Sequence, residues 1–150
     1  MKRFIVITGF LLVAVIGAVA QSNEFVDGLL ESDAVTVGQA AYLVLVASDN
    51  LGGDADEARA FELLDNFGWA PEGATVDTPI LMKDYSFLLM NAFGLKGGFM
   101  YGFFPSPRYA YRQLKSSLVI QGRSDPDMTV VGNSAIRMLG RVFDIKGISE

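Results

Sequence analysis

From residue 36 onward, apolar positions recur at helical spacing. In residues 36–49 (TVGQAAYLVLVASD), Ala40, Tyr42, Leu43, Val46 and Ala47 fall near one face of a 3.6-residue repeat, and the Thr36 hydroxyl is placed to cap the start. Asp54 or Asp56 is suited to cap the next helix, in which Ala60, Phe61, Leu64 and Phe67 form a stripe that ends at Gly68. The same spacing predicts helices over about residues 82–93, 107–118 and 132–143. Glycine- and proline-rich connections separate them, and no stretch alternates convincingly between apolar and polar residues, so the pattern predicts five helices in an all-α fold.

Three of these helices read as copies of one another. Residues 41–47 fall on residues 86–92 at an offset of 45, and both runs reach a glycine pair, Gly52-Gly53 and Gly97-Gly98. At an offset of 50, Leu89, Phe93, Lys96 and Gly97 meet Leu139, Phe143, Lys146 and Gly147. The intervening helices align Ala60, Leu63 and Phe67 with Tyr111, Leu114 and Leu118, after which each chain turns through a short polar loop. The unit is a helix, a polar turn and a capped helix, and one such unit cannot bury its apolar face alone.

Three tandem units of this form resemble S-layer homology domains. In that family a helix ends in a glycine-containing turn, an acidic loop follows, and a second helix opens at a motif of the type Ile-Thr-Arg-Ala-Glu. Here residues 119–126 (VIQGRSDP) resemble the turn and residues 35–41 (VTVGQAA) resemble the helix opening. The resemblance spans about residues 25–146 and implies three helix-turn-helix units packed as one bundle, the first truncated because it lacks most of its leading helix. The motif's arginine position falls on Val37, Met82 and Gly132. The resemblance therefore carries the architecture and not the family's use of that basic residue to hold an anionic cell-wall polysaccharide.

Composition narrows the chemistry. The chain has no histidine and no cysteine, which excludes Ser-His-Asp triads, Cys-His dyads, His/Cys zinc sites and disulfides. Lys2 and Arg3, the apolar run of residues 4–20 and the terminal Ala18-Val19-Ala20 predict a signal peptide over residues 1–20, cleaved before Gln21; a short membrane anchor is the competing reading. Residues 21–150 are then a single domain with no further membrane span and an expected place in the periplasm or cell envelope.

Charge is divided unevenly. Residues 21–78 hold twelve acids and one base, Arg59, whereas residues 79–150 hold nine bases and five acids. The acidic total argues against nucleic acid as a partner. Either the two halves attract each other within one domain, or a basic face on the second half meets an anionic partner.

Candidate sites are few. The acidic stretch of residues 48–57 lacks the register of an EF-hand loop and is accounted for by helix capping, so no metal and no cofactor are expected. No aromatic-flanked carboxylate pair stands out for glycoside hydrolysis, which leaves a small carboxylate-dependent hydrolase as an alternative to a non-catalytic protein. Trp69 is expected to plug the core at a helix end. Residues 97–109 (GGFMYGFFPSPRY) are the most unusual segment, with five aromatics, a methionine and an arginine among glycines and prolines. Their aromatics are either tucked onto the bundle or displayed. If displayed, Phe99, Tyr101, Phe103 and Phe104, with Arg108 and Arg112 beside them, have the composition of an interface centre. On this basis the chain is expected to be a non-catalytic binding or structural protein of the bacterial envelope that engages another envelope protein. Binding of an anionic wall polysaccharide by Arg108, Arg112, Arg123, Arg137 and Arg141 is the alternative.

Overall fold

A computed structural model describes residues 23–147, and the expected signal peptide lies outside the described residues. The described chain is all-helical, with seven helices: α1 (residues 23–30), α2 (Val37–Ala47), α3 (Glu57–Asn66), α4 (Met82–Ala92), α5 (Phe99–Phe103), α6 (Pro107–Ser116) and α7 (Gly132–Lys146). Two of these depart from the five expected. α1 supplies eight described residues of the leading helix that was expected to be mostly missing, and α5 forms within the aromatic segment.

The turn that follows α1 is short. Four residues (31–34) separate α1 from Val35, whereas residues 67–79 separate α3 from Ile80 and residues 117–129 separate α6 from Val130. The alignment of α3 on α6 also shifts by one residue. Their N-caps are Asp56 and Ser106, and the buried Ala60 and Leu64 correspond to Ala110 and Leu114, an offset of 50 and not the 51 that matching the larger apolar residues suggests. Alanine at the inner face allows helices to approach closely, so the small residues define the register.

Val35, Ile80 and Val130 meet at the centre in a closed ring of backbone hydrogen bonds. The Val35 N–H donates to the Val130 carbonyl (2.8 Å), the Val130 N–H to the Ile80 carbonyl (3.1 Å), and the Ile80 N–H to the Val35 carbonyl (2.8 Å). All three side chains are buried. Three extended residues, 45 and 50 positions apart, thus satisfy one another's polar groups without a sheet.

The same contacts start the helices. α2 has a capping box, with the Thr36 hydroxyl accepting from the Gln39 N–H (3.2 Å) and Gln39 Oε1 accepting from the Thr36 N–H (3.1 Å). Asp56 and Ser106 cap α3 and α6. Leu81 and Val131 offer no capping side chain to α4 and α7. Loop carbonyls substitute: the Met82 and Lys83 N–H groups donate to Met128 (2.8 Å) and Pro126 (2.9 Å), and the Gly132 N–H donates to Ser32 (2.9 Å). One continuous core follows, in which α2 packs on α3, α4 on α6, and α2 on α4. The buried Tyr85 hydroxyl donates to the Ala135 carbonyl (2.9 Å) between α4 and α7.

Corresponding turns share a left-handed residue. Just past α3 it is Gly68 (φ 70°), and just past α6 it is Leu118 (φ 62°), whose side chain is 66% exposed. A branched residue in this conformation costs roughly 1 kcal/mol that glycine avoids, partly offset by glycine's freedom in the unfolded chain. Leu118→Gly is therefore expected to stabilise the protein by about 0.5 kcal/mol in denaturant titration. A loss of stability would mean that the Leu118 side chain contributes packing.

Candidate aromatic and basic surfaces

The aromatic segment folds as a short helix because Gly98 opens it and Pro105 follows its end. The Gly98 N–H donates to Gln113 Oε1 on α6 (2.8 Å), which holds α5 against that helix. Tyr101 turns inward over Gly97, where any added Cβ would lie 2.5 Å from it. Burial pushes its phenol above the ordinary range. The other aromatics face outward: Phe99 is 77% exposed, and Phe103 and Phe104 are each 65% exposed. The rings of Phe99 and Phe103 meet at 4.6 Å with a 46° tilt between them. Between α5 and α6 lies a groove of about 320 Å³ lined by Phe99, Met100, Tyr101, Tyr109 and Arg112.

The five candidate arginines separate. Arg112 sits in the α5–α6 groove, while Arg108 reaches away to Asp127 (3.3 Å). Asp127 also pairs with Lys83, and the hydrogen bond from that ammonium holds its carboxyl below the usual range. Arg123, Arg137 and Arg141 surround a second cleft of about 310 Å³, between the α6–α7 loop and α7, together with Ser124 and Ser134. Arg141 donates to the Val119 carbonyl (2.9 Å), and Lys115 donates to Ser124 Oγ (2.7 Å), so the loop that bears Arg123 is tied down from both sides. Among the described residues no carboxylate lines this cleft.

A wider depression, about 720 Å³, was not legible along the chain because its walls come from four separate segments. Trp69, Pro71, Phe87 and Pro107 form its apolar walls, and Lys83, Asp84 and Glu72 supply its charge. Trp69 is half-buried: one side packs against the core, and its ring meets Phe67 at 4.6 Å with a 42° tilt. Burial raises the Asp84 carboxyl above its usual range, Lys83 lowers it and Asp127 raises it. Among the described residues no group of three or more acidic side chains is placed to hold a metal ion. No helix among them is long and apolar enough to cross a membrane.

Set against protein-family models, curated proteins and solved structures, the chain matches none. The side chains themselves therefore carry the functional argument.

Proposed function

We propose that this chain is a non-catalytic binding protein of the bacterial cell envelope, built of three S-layer-homology-like units, which docks another envelope protein on α5 and the adjoining basic residues. The observation that carries the docking surface is the outward display of Phe99, Phe103 and Phe104 on a helix held in place by α6. Large rigid aromatics beside an arginine are what interface centres are made of, and leaving three of them in water is otherwise unfavourable. The ring of Val35, Ile80 and Val130, spaced like the sequence copies, supports the three units.

The test is recovery from an envelope extract. The double change Phe103→Ser with Phe104→Ser is expected to lower partner affinity by about thirtyfold, because hot-spot aromatics contribute about 2 kcal/mol or more. Melting should barely move, since exposed positions usually change stability by about 0.5 kcal/mol or less. A fall of roughly ten degrees would instead place these rings in the core. A second reading, capture of an anionic wall polysaccharide, is favoured by the carboxylate-free cleft of Arg123, Arg137 and Arg141. Salt-dependent sedimentation with purified sacculi, lost on Arg123→Ser with Arg137→Ser and unaffected by the phenylalanine changes, would select it.

A further inference from the structure

The start of α4 leaves one carboxylate over. Asp84 stands in the first turn of that helix, where an acid ordinarily serves the free N–H groups. Those of Met82 and Lys83 are already given to the Met128 and Pro126 carbonyls, and no side chain caps the helix. The neighbouring Lys83 ammonium is turned to Asp127, which is not part of the depression walled by Trp69 and Phe87. Asp84 itself is half-buried in that wall, yet among the described residues it forms no ion pair, and no hydrogen bond is among the causes that move its carboxyl. Withdrawing an unpaired carboxylate from water is unfavourable, which is why burial holds this one above its ordinary range.

The rest of the wall shows what would offset that cost. Trp69, Pro71, Phe87 and Pro107 enclose about 720 Å³, a volume suited to a small organic molecule. Trp69 is fixed there, with its N–H donating to the Leu64 carbonyl (3.0 Å) and its ring against Phe67. Glu72, exposed at the same wall, also forms no ion pair among the described residues. A metal ion needs several oxygen ligands at once, whereas aromatic faces attract an organic cation and pack against its alkyl groups. A neutral molecule would leave the Asp84 charge uncompensated.

We propose that this depression, between the α3–α4 turn, α4 and the start of α6, binds a small organic ammonium ligand, with Asp84 as its counter-ion and Trp69 and Phe87 against its alkyl groups. No residue of α5 lines it, so the site is separate from the aromatic docking surface.

Trp69 is the chain's single tryptophan, so intrinsic fluorescence reads this wall directly. Titration of the purified protein with choline chloride, at ionic strength held constant with sodium chloride, is expected to give a saturable change in emission. The uncharged isostere of choline, in which carbon replaces the nitrogen, keeps the shape and should bind at least about tenfold more weakly. Asp84→Asn should weaken choline binding at least about tenfold and leave the melting temperature unchanged or raised, because the carboxylate it removes has no partner to lose. Phe87→Leu, which keeps an apolar wall and removes the ring, should weaken it severalfold. Butylammonium titrated in parallel separates a primary amine from a methylated one, and its binding must show the same loss in Asp84→Asn. If that variant does not fold, the comparison of choline with its uncharged isostere decides alone. No saturable response to either ammonium up to about 10 mM, tenfold above a millimolar constant, overturns the proposal. Equal binding of the uncharged isostere or unchanged affinity in a folded Asp84→Asn protein does so too. An equal response to N-acetylglucosamine would make the depression a carbohydrate site and likewise overturns it.

Discussion

Gly132→Ala is expected to cost about 3 kcal/mol or more, at the upper end of what overpacking does. A Cβ at this position would lie 1.5 Å from the Leu29 carbonyl oxygen and 2.6 Å from its carbon. The obstacle is backbone, so no side-chain rotation relieves it, and either α1 or the start of α7 must move. Movement would also strain the Gly132 N–H donation to Ser32, which starts α7 in place of a capping side chain. The close approach has a visible cause: the turn of residues 31–34 is too short to hold α1 away. At the corresponding positions, where the turns are longer, Val37 and Met82 are accommodated. Thermal melting should fall by roughly ten degrees or more, by the usual conversion for a domain of this size. Gly140→Ala in the same helix is the control. Gly140 is exposed, a Cβ there would meet nothing within 4 Å, and alanine should stabilise the helix by about 0.5–1 kcal/mol. Opposite signs within one helix separate a packing requirement from helix propensity, and a Gly132→Ala protein that melts like wild type would refute the contact.

Leu89→Ala and Leu139→Ala are each expected to cost about 2–5 kcal/mol, the lost transfer energy plus the residual cavity. Both side chains are buried, as is Val44 at the matching place on α2. One turn further along, Phe93 and Phe143 meet edge to face at 5.4 Å, so the two helices bring matched positions into direct contact. Denaturant midpoints should fall with little change in slope. Two near-neutral substitutions would show that α4 and α7 do not present equivalent faces, and the three-unit proposal would lose its register.

Where local pattern and structure part, the reasons are specific. α1 escapes the helical pattern because its described part is only eight residues and carries Gly28; of its four apolar residues, Phe25, Val26, Leu29 and Leu30, Leu29 is buried. α5 escapes because Gly97, Gly98, Gly102 and Pro105 read as loop, and contact with α6 is what orders it. The one-residue slip between α3 and α6 arises because aligning Leu63 and Phe67 with Leu114 and Leu118 rewards size. Packing instead matches Ala60 with Ala110 and Leu64 with Leu114. The aromatic segment was conspicuous in one dimension, yet composition left open whether its rings were tucked or displayed. The structure sends Tyr101 inward and Phe99, Phe103 and Phe104 outward.

Elements whose causes lie within one helical turn are legible along the chain. These include the helical class, the cap at Thr36, a cap at Asp54 or Asp56 that the fold resolves to Asp56, the left-handed stop at Gly68, and the approximate spans of five helices. The ring of Val35, Ile80 and Val130, the carbonyl caps of α4 and α7, and the need for glycine at 132 emerge only once the chain is folded. So does the grouping of Arg123, Arg137 and Arg141 round one cleft. The difference is one of range. A side-chain cap or an amphipathic stripe is a relation between residues three or four apart, which the order of residues along the chain reveals. A hydrogen bond between residues 45 or more apart exists only because burial of the helix faces has already brought the backbones together.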